Sequence, residues 1–85
     1  MDKKLVDAIV RASFLVGELK ALDFVVDGDI DDVSRGIVMS RASEVIDEFD
    51  QVYIGRLSEN RGNYLVENLM EQLGMYRTNF QVRLG

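Results

Sequence analysis

The segment from about Lys3 to Asp23 carries apolar residues on two faces of a helix, which restricts the architectures open to the chain. The first face has the i, i+3, i+4, i+7 spacing of an amphipathic helix and consists of Leu5, Ala8, Ile9, Ala12, Leu15, Val16, Leu19 and Leu22. The second face, called the second stripe below, consists of Val6, Val10, Phe14, Gly17 and Ala21, with Ser13 beside them. A helix that is apolar almost all round is buried on more than one side. We therefore expect this helix either to lie at the centre of the fold or to serve both the core and an interface.

A second helix is predicted from about residue 31 to residue 57, with Asp29 or Asp31 as its N-cap. Its core stripe consists of Val38, Ala42, Val45, Ile46, Phe49, Val52 and Tyr53. Four apolar residues fall outside this stripe, namely Ile30, Val33, Ile37 and Ile54. We expect these four residues to pack against something other than the core that the main stripe faces.

A third helix is predicted from residue 59 to residue 73, with Ser58 as its N-cap. Its core stripe consists of Leu65, Val66, Leu69, Met70 and Leu73. Gly74 is suited to end the helix, because glycine adopts the left-handed conformation that a C′ residue needs. The fold class predicted from the sequence is thus an all-α core of three helices.

The last residues change period. From residue 76 to residue 84 the side chains alternate, with an apolar side formed by Tyr76, Thr78, Phe80, Val82 and Leu84. This period of two predicts an extended or β-like segment, and an unpaired strand edge would make residues 76–85 an interaction tail. A continuous helix to Phe80 is the alternative, because Leu69, Leu73, Tyr76 and Phe80 also share a helical face. Phe24 to Val26 is either a helix end or a short strand that could pair with the tail.

The size and apolar content of the chain favour association. Its 85 residues form a single small helical domain, and 47% of them are hydrophobic. A chain of this size hides only about 60% of its unfolded surface when it folds, so a monomer is marginally stable. We therefore expect a homo-oligomer or a complex with a protein partner. The candidate interface residues are Val6, Val10, Phe14, Gly17, Ala21, Tyr76, Phe80 and Val82.

Charge and missing residue types exclude several function classes. The net charge of −5 argues against direct nucleic-acid binding, which depends on a basic surface. The chain has no histidine or cysteine, so zinc and iron–sulfur sites, thiol nucleophiles and a Ser-His-Asp triad are excluded. Asp7, Arg11 and Glu18 interrupt the first apolar segment. A membrane span or the apolar part of a signal sequence would not carry these charges. We expect a cytoplasmic, non-enzymatic protein without cofactor or metal.

The negative charge is concentrated between residues 23 and 50. This segment has nine acidic residues and only two basic ones, Arg35 and Arg41. The candidate acidic face consists of Asp29, Asp31, Asp32, Glu44, Asp47 and Glu48. Such a face could mimic the phosphates of a nucleic acid and block a nucleic-acid-binding protein. The other interpretation is an ordinary solvated helix face with acidic caps.

Two metal-dependent alternatives use the same carboxylates. The motifs Asp29-x-x-Asp32 and Glu44-x-x-Asp47 resemble the paired acidic motifs of the all-α nucleotide pyrophosphohydrolases, which implies Mg²⁺ held by hard oxygen ligands. Here, however, Glu44 and Asp47 lie opposite the core stripe of the second helix, where solvent is expected. A calcium loop starting at residue 27 fails, because its glycine and glutamate positions hold Asp32 and Val38.

Two short fragments carry a resemblance. Ala12-Ser13-Phe14-Leu15-Val16 and Glu59-Asn60-Arg61-Gly62-Asn63-Tyr64 are similar to pieces of the small helical anti-sigma factors of T-even bacteriophages. The resemblance implies a small acidic helical inhibitor of phage or mobile-element type, and it assigns no functional residues. The function expected from the whole sequence is a self-associating protein–protein interaction module that acts as an inhibitor or adaptor.

Overall fold

The computed structural model describes residues 2–84, which form helices joined by short turns and contain no strand. The helices are α1 (Lys3–Val26), α2 (Asp32–Glu48), α3 (Ile54–Ser58) and α4 (Tyr64–Leu84), with a π-helical segment (Phe49–Tyr53) between α2 and α3. The π-helical segment joins α2 and α3 into one rod, so the fold has three helical rods. The predicted all-α fold with three helices is confirmed at this level.

The three rods pack into an elongated bundle with extents of 44 × 18 × 18 Å. α1 contacts α2, the π-helical segment, α3 and α4, which makes it the element that holds the bundle together. The buried hydrophobic residues are Leu5, Ala8, Ile9, Ala12, Leu15, Val16, Leu19, Val26, Ala42, Val45, Phe49, Leu57, Val66, Leu69, Leu73, Tyr76 and Phe80. The first apolar face of α1 therefore faces the core.

The π-helical segment changes the register of the second rod. The backbone N–H of Ile54 donates to the carbonyl oxygen of Phe49, a hydrogen bond that spans five residues instead of four. This wider turn rotates the residues that follow relative to a regular α-helix. Val52, which was predicted in the core stripe, is 60% exposed, whereas Ile54 packs against the core and Leu57 is fully buried. The prediction for Val52 was wrong because a regular period of 3.6 does not hold through this segment.

Side-chain caps set where the helices begin. The Asp31 carboxylate accepts a hydrogen bond from the backbone N–H of Ser34 at 2.6 Å, which confirms Asp31 as an N-cap and lowers the pKa of its carboxyl. α4 begins at Tyr64 rather than at residue 59. The side-chain oxygen of Asn63 accepts from the backbone N–H of Leu65 at 2.8 Å there, so the prediction of Ser58 as the cap was wrong.

The predicted extended segment 76–84 is wrong, because α4 continues through Gly74 and reaches Leu84. Tyr76 and Phe80 are buried in the core, one helical turn apart, in line with Leu69 and Leu73. The helical alternative is thus the correct one. Helical spacing buries these four side chains together on one face, whereas a strand would need a partner strand for its backbone groups. Gly85, the last residue of the predicted tail, lies outside the described residues.

The end of α1 also differs from the short-strand alternative. Phe24 to Val26 form the last turn of α1, three residues beyond the predicted end, and Val26 is almost completely buried. Arg83 ties the last turn of α4 to this end of α1. Its guanidinium donates to Asp23 at 2.5 Å and also to Asp27. The two chain segments predicted as possible strand partners therefore meet, but as helices.

We predict that Gly74→Ala stabilises the protein by about 0.5–1 kcal/mol, because glycine costs that much in a helix interior. A Cβ at Gly74 would have no atom within 4 Å outside its own helix, and the described glycines have no positive φ. The measurement is the urea unfolding of wild type and variant. If Gly74 instead ended the helix in the left-handed conformation, alanine would destabilise the protein, and the predicted helix beyond residue 74 would be wrong.

Candidate protein-binding surface

The second stripe of α1 faces solvent along its whole length. Phe14 is 75% exposed, and Val6 and Val10 are close to half exposed. Gly17 and Ala21 are exposed as well, while the first face on the opposite side of the same helix is buried. α2 and α4 therefore cover only one side of α1, and none of the described residues covers the second stripe.

Phe24 extends the second stripe and was missed by the sequence analysis. It lies three residues after Ala21 on the same face of α1 and is 83% exposed, the highest value among the large hydrophobic residues whose side chains the structure describes. The signal was present in the helical spacing, but the predicted helix ended one residue too early to include it. From Val6 to Phe24 the second stripe is about 27 Å long at 1.5 Å per residue.

The small residues of the second stripe are not required by packing within the chain. A Cβ added at Gly17 would meet no heavy atom within 4 Å outside its own helix backbone, so no neighbouring element approaches this position. The Ser13 hydroxyl donates to the carbonyl oxygen of Ile9 at 2.7 Å, which satisfies it within the helix. The sequence left open whether small residues here served the core or an interface, and this geometry removes the core explanation for Gly17.

Two ion pairs lie along one edge of the second stripe. Arg11 Nε donates to the Asp7 carboxylate at 3.0 Å within α1. Arg41 of α2 donates two hydrogen bonds to Glu18, at 2.5 Å and 2.9 Å, and these hold the pKa of the Glu18 carboxyl below its ordinary value. The apolar stripe thus has a charged rim on the side that faces α2.

The tail residues predicted for the interface are placed differently. Tyr76 and Phe80 lie in the core, between α4 and the rest of the bundle, so they are not available to a partner. Val82 is 74% exposed and lies on the outward face of α4. Of the predicted interface, the structure therefore brings together the α1 residues alone and separates them from the C-terminal ones.

The candidate acidic residues are all exposed, but they do not form one cluster. Asp31 caps α2, and Glu44 accepts from Arg41 at 3.2 Å. Asp47 and Glu48 at the end of α2 are exposed and have no ion pair with another described residue. The acidic face is therefore divided between the start of α2 and its end.

The carboxylates of the nucleotide pyrophosphohydrolase alternative are far apart. Asp32 and Glu44 lie at opposite ends of α2, about 18 Å apart along the helix axis. Among the described residues, no group of three or more acidic side chains is placed to hold a metal ion. The hydrolase stays a prediction that no geometry of residues 2–84 supports.

α2 carries a second exposed apolar area that sequence reasoning noted only as residues outside the core stripe. Val33 and Ile37 are largely exposed and line an open surface depression together with Ser40, Arg41 and Glu44. Arg41, which lines this depression, also pairs with Glu18 of α1.

Between residues 2 and 84, no helix combines the length and the apolar character needed to cross a membrane. A comparison of the chain with protein-family models, curated proteins and solved structures found no match. The second stripe and the exposed acidic residues are therefore the features of residues 2–84 that bear on function.

Proposed function

We propose that this chain is a small acidic, non-enzymatic protein–protein interaction module that binds through the second stripe of α1 and acts as an inhibitor or adaptor. The observation that supports this proposal is the exposure of Phe14 and Phe24 on the apolar second stripe. The continuous apolar patch of a soluble monomer is often the surface through which it binds.

The size of the second stripe is consistent with a binding site. A stripe about 27 Å long and about 10 Å wide, the diameter of a helix, covers roughly 270 Å². The largest apolar patch of an ordinary monomer is about 300–600 Å² and is often functional.

We predict that Phe14→Asp abolishes the association of the protein with its partner while the fold is kept. A carboxylate at this position must lose its hydration when another apolar surface covers it, which costs several kcal/mol unless it is paired. In the free chain the same side chain stays in water, since Phe14 is 75% exposed. The measurements are the native mass by light scattering, the amount of bound partner after affinity purification, and far-UV circular dichroism.

Thr78→Asp is the matched control, because Thr78 is an exposed neutral residue on α4, away from the second stripe. It should leave both association and helicity unchanged. Equal association of Phe14→Asp, Thr78→Asp and wild type would show that the second stripe is not the binding surface.

Mimicry of nucleic-acid phosphates is a second candidate function, favoured by the exposed and unpaired Asp47 and Glu48 at the end of α2. The double charge reversal Asp47→Lys with Glu48→Lys belongs in the same experiment. Loss of the partner in this variant, with Phe14→Asp still bound, would support the acidic surface in place of the second stripe.

A further inference from the structure

We propose that the outward face of α2 is a second docking surface, which binds an amphipathic helix of a partner protein with basic residues on both sides of its apolar centre. This surface lies on a different helix from the second stripe, so the inference goes beyond the proposed function. It is carried by the shape of the face, by two exposed apolar side chains on it and by unpaired carboxylates at both of its ends.

The face consists of two neighbouring rows of side chains. Residues four apart on a helix form a row, and such rows are the ridges and grooves through which helices pack against each other. The six residues that line the open depression on α2 form two rows of this kind, namely Val33, Ile37 and Arg41 in one and Gly36, Ser40 and Glu44 in the other. The second row continues to Asp32 at one end and to Glu48 at the other, and this longer row is called the α2 groove below.

The centre of the α2 groove is open beside an apolar ridge. Val33 is 76% exposed and Ile37 is 66% exposed. A Cβ added at Gly36 would meet no heavy atom within 4 Å outside its own helix backbone, and Ser40 is small and exposed. A side chain from outside can therefore approach the backbone of α2 between these residues. A row of side chains on another helix fits such a groove, at an interaxial distance of about 8–10 Å.

Carboxylates stand at both ends of the α2 groove. Asp32 lies one helical turn before Gly36, and Glu48 lies two turns after Ser40. Asp32 and Glu48 are exposed, and neither has an ion pair with another described residue. The two are about 24 Å apart along the helix at 1.5 Å per residue. The groove is thus small and open in the middle and negative at its ends.

The arginines of the same segment do not neutralise these ends. Arg35 donates to the backbone carbonyl oxygen of Val26 at 2.8 Å. Arg41 donates to Glu18 at 2.9 Å and to Glu44 at 3.2 Å, so its charge is engaged beside the groove. The positive charge that complements the two ends must therefore come from a partner.

These features together describe the occupant. An apolar side chain of the partner helix lies over Gly36 and Ser40 and contacts the Val33–Ile37 ridge. Lys or Arg side chains about one turn before and after it reach Asp32 and the Glu44–Glu48 end. An uncharged apolar helix would cover the carboxylates without pairing them, which is costly, and an acidic helix would be repelled.

Three synthetic helical peptides with the same apolar face test the charge requirement. They carry lysine, glutamine or glutamate one turn before and after the apolar centre, and binding is measured by fluorescence anisotropy. We expect the lysine peptide to bind most tightly and the glutamate peptide least, with the lysine peptide weakened by added salt. No binding of the lysine peptide, or equal binding of all three, would overturn the inference.

Gly36→Leu tests the α2 groove itself, because the new side chain fills it. We expect the lysine peptide to bind at least about tenfold more weakly, since a side chain forced into an occupied space costs that much. The variant should keep its fold, because leucine is a better helix former than glycine, and circular dichroism checks this. Binding of the lysine peptide as tightly as by wild type would overturn the inference.

Neutralising both ends of the groove tests the carboxylates. Asp32→Asn with Glu48→Gln should weaken the lysine peptide by roughly two- to thirty-fold, the combined worth of two exposed ion pairs. Glu59→Gln with Glu71→Gln is the matched control, because it makes the same change in net charge at exposed residues outside α2. Equal weakening in both double variants, or weakening by charge while Gly36→Leu still binds normally, would show general attraction and overturn the inference.

Phe14→Gln separates the two surfaces. It changes the second stripe and leaves α2 as it is, so the lysine peptide should bind to it as to wild type. Loss of binding there would place the peptide on the second stripe and overturn the inference, while the proposed function would stand. The proposed function fails by a different result, namely equal partner binding by wild type and Phe14→Asp.

Discussion

A Phe49→Ala substitution is expected to lower the free energy of unfolding by about 3–5 kcal/mol, the usual cost of removing a buried aromatic ring. Phe49 is fully buried at the start of the π-helical segment, and its ring packs edge-on against Tyr53 with 6.3 Å between the ring centroids. A domain of this length has a total stability of only about 4–13 kcal/mol. The loss therefore removes a large part of it, measured by urea unfolding with circular dichroism.

Val52→Ala is the matched control, because it truncates a side chain of the same π-helical segment that is 60% exposed. It should change the stability by no more than about 0.5 kcal/mol, as is usual for surface sites. Ile54→Ala should cost more than Val52→Ala, since Ile54 packs against the core. The reverse order would mean that a regular α-helix, with Val52 in the core, continues through this segment.

Truncation of the chain after Gly74 is expected to unfold it. The deleted residues include Tyr76 and Phe80, which are buried in the core, and Arg83, which joins α4 to α1 through Asp23. Losing two buried aromatic side chains costs about 6–10 kcal/mol at 3–5 kcal/mol for each, which is comparable with the whole stability of about 4–13 kcal/mol for a domain of this length. The expected result is loss of helical circular dichroism and of a cooperative thermal transition.

Two substitutions separate this effect from a general sensitivity of the C-terminal segment. Phe80→Ala should be strongly destabilising, whereas Val82→Ala should be close to neutral because Val82 is 74% exposed. A truncated protein with normal helicity and a normal thermal transition would show that the residues after Gly74 are separable from the core, as the alternating pattern of residues 76–84 predicted for a tail of residues 76–85.

The C-terminal segment shows why periodicity alone was not enough. Tyr76 and Phe80 are four residues apart, so they share a face in a helix and also share a side in a strand. Nine residues are too few for the two periods to diverge clearly. What distinguishes them is the distant contact of these side chains with the core, and the segment has no strand to pair with among the described residues.

The second rod shows a different limit of prediction from the sequence. Its helical character and the Asp31 cap were predictable, since both depend on residues close in sequence. The extra residue of the π-helical turn was not, because no residue type at Phe49 to Tyr53 marks such a turn. Because of that single wider turn, Ile54 packs against the core where Val52 was predicted.

The sequence by itself determined that the chain is helical, that its first helix has two apolar faces and that its negative charge lies in the middle third. These are local properties, set by the spacing of residues within one or two helical turns. Only the tertiary structure decided which face of α1 is buried and that the last residues complete the core. That decision depends on how three rods cover one another, because two neighbours can bury only one side of α1, and the second stripe stays exposed.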